Sequence, residues 1–145
     1  MPLTISDPIV TVPVATPFTA QDQVDLEALA YNVERWMQTP ATCFIVGTAS
    51  GDEWFLSEPE KLEIMRTVRA GLDERRCLIG GIDCPGVSET LRRAEAFAEA
   101  GAEMVRVRLP RYEATVEPFF EQVTRRTPLP ILLMHQCNPE RFGFA

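Results

Sequence analysis

CFIVGTASGDE, residues 43–53, is the stretch that decides the fold of this chain. A short apolar run, residues 43–46, leads into a turn of small residues, and the segment LSEPEK at residues 56–61 carries the signals of a helix start. Ser57 predicts an N-cap, and Glu60 three residues later predicts a capping box. The order strand, loop and capped helix is one β–α unit.

The turn inside this unit has the residues of an anion site. Glycines let the main chain approach a ligand closely, and the hydroxyls of Thr48 and Ser50 add donors to the backbone N–H groups. We therefore predict that Thr48, Ala49 and Ser50 bind substrate. The alternative is that this turn only leads the chain into the helix.

The same alternation of apolar runs and amphipathic segments continues along the chain. It predicts a parallel sheet of β–α units, which right-handed crossovers curve into an arc of a barrel. Predicted strands cover residues 9–15, 43–46, 77–80, 104–109 and 131–134. Predicted helices cover residues 24–37, the segment from Ser57 to Gly71, residues 88–100 with Ser88 as the N-cap, and residues 116–125. Residues 135–145 have only loop character.

Composition narrows the classes of function. The 145 residues carry a net charge of −7 and 46% hydrophobic residues, which fits one soluble globular domain, residues 1–145. The acidic balance argues against nucleic acid or an anionic membrane as a partner. We expect a cytoplasmic protein, because no apolar run approaches the roughly 20 residues of a membrane span and the N-terminus lacks a signal pattern.

Neither a metal nor a cofactor is predicted. The four cysteines form no C-x-x-C pair, and we expect Cys43 and Cys77 to be buried thiols. His135 is the only histidine, whereas a zinc site takes about four closely grouped Cys and His ligands.

Several motifs, in order along the chain, resemble those of the dihydrodipicolinate synthase / N-acetylneuraminate lyase family. Residues 47–60 are similar to its Gly-Thr-Thr-Gly-Glu-x-x-x-Leu-Thr-x-x-Glu motif, which binds the carboxylate of a keto acid. The other matching segments are TVPVATPF at 11–18, GGID at 80–83, AGAE at 100–103, LPRY at 109–112 and LPILL at 129–133. The resemblance implies a class I aldolase fold, a (β/α)8 barrel. Because a whole barrel needs about 250 residues, we expect a partial TIM barrel of about the first five strands.

The resemblance also implies catalytic and binding residues. Tyr112 matches a tyrosine that reaches across a subunit interface into a proton relay. Met134 and His135 match the family's Tyr-Asn pair, whose tyrosine is the principal proton-transfer residue. Methionine cannot transfer protons, so His135 is the candidate, since imidazole titrates near neutral pH. Arg141 matches the arginine that neutralises a distal carboxylate of the substrate. A surface aromatic residue for Tyr112 and a structural role for His135 are the alternatives.

The lysine needed for Schiff-base chemistry is the main departure from the family. The family's lysine lies on strand six, and the only lysine here is Lys61, on a helix that we expect to leave it in solvent. We therefore predict part of a pyruvate-type aldolase or lyase that is inactive by itself. The alternatives are a non-catalytic half-barrel, which binds a small keto acid or assembles with another chain, and a small open-sheet binding module.

A half-barrel also predicts self-association. It has free strand edges, and it uncovers apolar side chains that belong in a barrel interior, for which Val12, Val14 and Ile45 are the candidates. In the fourth predicted strand, Arg106 and Arg108 alternate with Val105 and Val107, and this alternation predicts an exposed polar face. We expect homo-oligomers.

Overall fold

A computed structural model describes residues 9–83, 86–110 and 113–135. These residues form five parallel strands in the order β1-β2-β3-β4-β5, so that each strand pairs with the next one along the chain. The strands are β1 Thr11–Pro13, β2 Cys43–Val46, β3 Cys77–Ile82, β4 Met104–Arg108 and β5 Ile131–Met134. The predicted sheet is confirmed, and it corresponds to the N-terminal part of a (β/α)8 barrel.

Four α-helices connect the strands. They are α1 Leu26–Trp36, α2 Glu58–Gly71, α3 Val87–Glu99 and α4 Glu113–Arg126. The capping box at the start of α2 is present, because Ser57 accepts from the Glu60 N–H and the Glu60 carboxylate accepts from the Ser57 N–H at 2.8 Å. Ser88 as the N-cap of α3 is wrong: the cap residue is Gly86, and Ser88 lies inside the helix.

The main core lies between one face of the sheet and the helices. Phe44, Leu78 and Val105 of the strands pack there against Met65 of α2 and Phe97 of α3. Val14 is 2% exposed in this core and Val12 packs against it, so the prediction that these two valines face a barrel interior is wrong. None of the helices in the described ranges is long and apolar enough to cross a membrane.

The opposite face of the sheet, here called the inner face, would line the interior of a barrel. Its apolar cluster consists of Cys43, Ile45 and Ile79, with Cys77 and Met104 packed against it. Ile45 is only 8% exposed, so it is not uncovered as predicted. On the edge strand β5, Leu132 and Leu133 are 46% and 56% exposed, while the most exposed large apolar side chains are Trp54 and Phe55, at 66% and 81%. Beyond the apolar cluster, towards the carboxyl ends of the strands, the inner face becomes charged.

Candidate active site

The turn after β2 is a strained and closely packed piece of backbone. Gly47 has a φ of +80°, which favours glycine, and Thr48 is extended before a short 3-10 turn, Ala49–Gly51. Asp52 ends that turn in the left-handed region with a φ of 56°. The Thr16 hydroxyl donates to the Gly51 carbonyl at 2.7 Å and ties the turn to the end of β1. The loop is thus held in one shape by its neighbours.

Donors in this loop are available to a ligand. The N–H groups of Gly51 and Glu53 donate to the Thr48 carbonyl, whereas Ala49 and Ser50 begin the 3-10 turn, where the turn itself offers their N–H groups no acceptor. Both residues are exposed. The Thr48 hydroxyl is buried without a hydrogen-bond partner. The loop therefore combines two N–H groups that have no acceptor in their own turn with an unsatisfied hydroxyl at the carboxyl edge of the sheet.

Two glycines let the loop lie against β3. A Cβ on Gly81 would lie 2.0 Å from the Gly47 carbonyl oxygen and 2.6 Å from Nη2 of Arg106. A Cβ on Gly47 would lie 2.8 Å from the Gly81 carbonyl oxygen. Because neither contact is compatible with a side chain, the strand ends approach this closely only with glycine at both positions.

Arg106 crosses the inner face above Gly81. It belongs to β4, and its Nη2 donates to the Gly47 carbonyl at 2.9 Å, so one guanidinium connects β4 with the loop after β2. Nη1 donates to Asp83, which follows β3, and contacts Sδ of Met134 on β5 at 3.2 Å. The residue is 3% exposed. The expectation of an exposed polar face on β4 is therefore wrong for Arg106, whose charge is buried and paired.

Asp83 connects two arginines. Its Oδ1 accepts from Arg106, and its Oδ2 lies 2.6 Å from Nη2 of Arg108. The Asp83 side chain is 5% exposed and that of Arg106 4%, so this is a buried ion pair, with the partly buried Arg108 beside it. Removing one partner from such a pair leaves an uncompensated buried charge.

Glu53 places a second carboxyl group in the cluster. It is 5% exposed, and its pKa is raised to about 7, mainly by burial and further by a hydrogen bond and repulsion from Asp83. The positive charges of Arg106 and Lys61 oppose this increase. Two carboxyl groups can hydrogen-bond to each other only when one carries a proton, and the raised pKa identifies Glu53 as the group that holds it. Glu53 is thus a candidate to exchange protons near neutral pH.

Lys61 is half-buried, not in open solvent as expected from the sequence. Burial and the positive charge of Arg93 lower the pKa of its ammonium group, while Glu53, Glu58 and Asp83 raise it. The side chain lies on α2, and its charge interacts with the carboxylates of the cluster.

The structure brings together only part of the predicted site. Thr48, Ala49 and Ser50 follow β2 and His135 follows β5, so all four lie at the carboxyl edge of the sheet. His135 is exposed, and Met134 before it is half-buried. Tyr112 and Arg141 lie outside the described residues, and the roles of all six predicted residues stay predictions. Among the described residues, no group of three or more His, Cys, Asp or Glu side chains is placed to hold a metal ion.

The charged cluster was missed from the sequence. Its members are Glu53, Asp83, Arg106 and Arg108. The sequence did contain a signal for it. Arginines at alternating positions of a strand share one face of the sheet, and an acidic residue just after the neighbouring parallel strand lies close to them.

Comparison with known proteins identifies the family to which this chain belongs. The model of the Dihydrodipicolinate synthetase family matches residues 8–138. The 4-hydroxy-tetrahydrodipicolinate synthase of Kineococcus radiotolerans is 30% identical over 124 residues, which are 83% of this chain and 40% of that protein. The chain therefore spans less than half the length of this curated relative.

Solved structures superpose on this chain as well. YagE is a prophage protein of Escherichia coli K12 that belongs to the dihydrodipicolinic acid synthase family and was solved in complex with pyruvate. It superposes on this chain with a TM-score of 0.79 and 26% identity, over 93% of this chain and 46% of its own. The dihydrodipicolinate synthase DapA-2 of Bacillus anthracis gives a TM-score of 0.82 at 22% identity, over 94% of this chain and 47% of its own. The second likeness shows the fold alone.

Proposed function

Because the chain belongs to the Dihydrodipicolinate synthetase family, we propose that its loop at residues 48–50 binds the carboxylate of a small 2-keto acid such as pyruvate. In this proposal residues 1–145 are the N-terminal part of one barrel domain, whose parent is a pyruvate-type aldolase or lyase. The observation that carries the proposal is the geometry of the loop: the exposed residues Ala49 and Ser50, whose N–H groups have no acceptor in their own turn, follow a residue with a buried, unsatisfied hydroxyl.

The chemistry of the loop fits a carboxylate better than a neutral ligand. Backbone N–H groups at the start of a helical turn carry partial positive charge and donate to anions without a cost in side-chain entropy. Arg106 supports the shape of the loop, because its guanidinium, whose charge is paired with Asp83, donates at 2.9 Å to the carbonyl oxygen of Gly47, the residue before the loop. YagE, which is 26% identical, was solved with pyruvate, and this agrees with a keto-acid ligand for the parent.

The reaction proposed for the parent is condensation, retro-aldol cleavage or dehydration through a Schiff base. That chemistry needs an unprotonated amine at the keto carbon. Lys61 is the only lysine among the 145 residues. It lies on α2, and its charge interacts with Glu53 and Asp83. In this proposal it has a structural role only. The amine must then come from outside these residues. Tyr112 and His135 are proposed for proton transfer and Arg141 for a distal carboxylate, while a cytoplasmic location and homo-oligomers stay predictions.

One observation favours a second candidate, a non-catalytic half-barrel that binds a keto acid. Met134 stands where the family resemblance expects the proton-transfer tyrosine, and its Sδ lies 3.2 Å from Nη1 of Arg106. A thioether cannot exchange protons, so this position has lost acid–base function whatever else the chain joins.

Titration of the isotopically labelled chain with pyruvate, observed by amide NMR, tests the proposal. We expect the amide signals of Ala49 and Ser50 to shift saturably, and lactate, which lacks the keto group, to give the same contact through its carboxylate. Sodium borohydride treatment then separates binding from covalent chemistry. Shifts confined to other parts of the chain would refute the assignment of the loop.

A further inference from the structure

Three sulfur-bearing residues gather on the inner face at the end opposite to the charged cluster. Cys43 of β2 and Cys77 of β3 pair in register, and their thiols hydrogen-bond to each other. Met104 of β4 pairs in register with Ile79, which lies two residues beyond Cys77 and therefore on the same face. All of them belong to one apolar cluster with Ile45. Each sulfur-bearing residue is the first of its strand, so soft ligands lie side by side at the amino ends of three adjacent strands.

The spacing of the two thiols suits a single metal ion. Neighbouring strands lie about 4.8 Å apart. With metal–sulfur bonds of about 2.3 Å, as zinc makes them, two sulfur atoms on one ion lie at most about 4.6 Å apart. Cys43 and Cys77 start from paired positions and already contact each other, so both can bind one ion without a shift of the strands. The flexible side chain of Met104 can bring its thioether to the pair from the next strand.

The types of ligand select the metal. Thiolate and thioether sulfur are soft ligands and favour monovalent copper. A structural zinc site takes four ligands, and the described part of the chain places no three His, Cys, Asp or Glu side chains around one ion. Ile45 and Ile79, which are 8% and 3% exposed, keep the surroundings apolar, while the half-buried Cys77 and Met104 leave a route by which an ion can enter.

We propose that Cys43, Cys77 and Met104 form a binding site for a monovalent copper ion, with two thiolates and one thioether as its ligands. The site lies at the amino ends of the strands, whereas the keto-acid loop follows β2 at its carboxyl end. The two sites share no residue, so copper binding is tested separately from the proposed function, and each can fail without the other.

Copper binding at this site displaces protons. Burial and the neighbouring Cys43 raise the pKa of Cys77 to about 12, so its thiol is protonated at neutral pH. When the ion binds, two S–H bonds break, two copper–sulfur bonds form and two protons pass to the buffer, while the copper keeps its oxidation state. The charged groups near Cys77 are Arg69, which favours its thiolate form, and Glu103, which opposes it and pairs with Arg69 at 2.9 Å.

Titration of the 145-residue chain with monovalent copper, without oxygen and in competition with the colorimetric chelator bicinchoninate, tests the proposal. We expect one copper ion per chain and the release of two protons. Cys43→Ala and Cys77→Ala should each weaken binding by about 100-fold or more, since even the loss of a residue that only supports a metal ligand costs about 10–100-fold. Met104→Leu conserves volume and removes the thioether, and it should weaken binding about tenfold.

Met65→Leu is the matched control for the methionine, because Met65 is buried on the helix side of the sheet, and it should bind copper as the wild type does. A double variant, Cys84→Ala with Cys137→Ala, removes the other two cysteines of the chain and should also keep the affinity. X-ray absorption at the copper edge of the wild type counts the ligands without any variant, and we expect three sulfur atoms. Nitrogen or oxygen ligands, wild-type affinity in any of the three ligand variants, or loss of binding in the double variant would overturn the inference.

Discussion

Ala49→Pro removes one donor from the keto-acid loop and changes little else. Ala49 is the first residue of the 3-10 turn, a position where proline is tolerated because its missing N–H has no acceptor within the turn. Thr48 before it has φ −128° and ψ 163°, the extended conformation that a residue preceding proline prefers. The variant therefore tests the N–H group and not the shape of the loop.

The expected loss of affinity follows from the type of bond. A hydrogen bond to a charged group contributes about 1.5–3 kcal/mol, and every 1.4 kcal/mol is a factor of ten in Kd. If the Ala49 N–H donates to the ligand carboxylate, Ala49→Pro should weaken pyruvate binding by about 10- to 100-fold. The thermal midpoint should change little, since no bond within the chain is lost.

Calorimetric titration with pyruvate at constant pH and ionic strength measures this change, with circular dichroism melts to check the fold. Ala49→Ser is the matched control, because it alters the same side chain and keeps the N–H group. It should bind as the wild type does or more tightly. An Ala49→Pro protein with wild-type affinity would refute the reasoning, because the ligand would then not use this donor.

Four further outcomes are expected. The free energy of unfolding of the wild type relative to Glu53→Gln should fall as pH rises from about 4.5 to about 7, by up to about 3 kcal/mol, because the folded state holds the Glu53 proton more tightly than the unfolded state; a pH-independent difference in chemical denaturation would contradict this. Gly81→Ala, whose Cβ would lie 2.0 Å from the Gly47 carbonyl oxygen, should destabilise by about 1–3 kcal/mol or more, whereas Gly86→Ala, with nothing within 4 Å of its Cβ, should cost less than about 1 kcal/mol, for the change at the N-cap of α3, in the same denaturation experiment. Borohydride with pyruvate should leave no reduced adduct on Lys61, and a mass increase there would show that this amine is reactive. Sedimentation at micromolar concentration should show dimers or larger species, which Leu133→Lys on the exposed face of β5 should shift towards monomer; a wild type that is already monomeric would refute this.

The sequence predicted elements best where short apolar runs have clear ends. β2 and β5 begin and end at the predicted residues, because each is a continuous apolar run that starts after a polar or proline residue. β3 continues through Gly80 and Gly81, although glycine pairs usually indicate a turn. The reason is tertiary: a Cβ on Gly80 would lie 2.3 Å from the Phe97 ring, so glycine there admits helix α3, and Gly81 admits the loop after β2.

The sequence predicted which segments are helical better than it predicted the residues at which the helices begin. α3 begins at Val87 behind Gly86, without a side-chain cap, so the hydroxyl of Ser88 gave a false signal. α4 begins at Glu113, three residues before the predicted start, and contains Pro118. Proline there has no N–H to donate to the carbonyl of Ala114, yet the helix continues past it to Arg126.

The sequence predicted at which edge of the sheet the site lies, but not which charged side chains are buried there. Loops after parallel strands share one edge, so the order of elements alone placed Thr48 and His135 together. The burial of Arg106 was not predictable from its own strand, since alternation tells which residues share a face and not what covers that face. It depends on Asp83 after the neighbouring strand and on the missing side chain of Gly81.

Arg106, Gly81, Asp83 and Met134 form one connected arrangement on the inner face. Arg106 reaches the Gly47 carbonyl only because Gly81 leaves space, and its other nitrogen contacts both Asp83 and Met134. A methionine sulfur accepts only weakly and carries no proton, so it lies beside a buried guanidinium without competing for the Asp83 carboxylate. A phenol at the same position would contact a permanent cation that favours its ionised form. A methionine at this position is therefore compatible with the charged inner face, and Glu53, whose pKa is raised to about 7, is the group of this cluster that holds a proton near neutral pH.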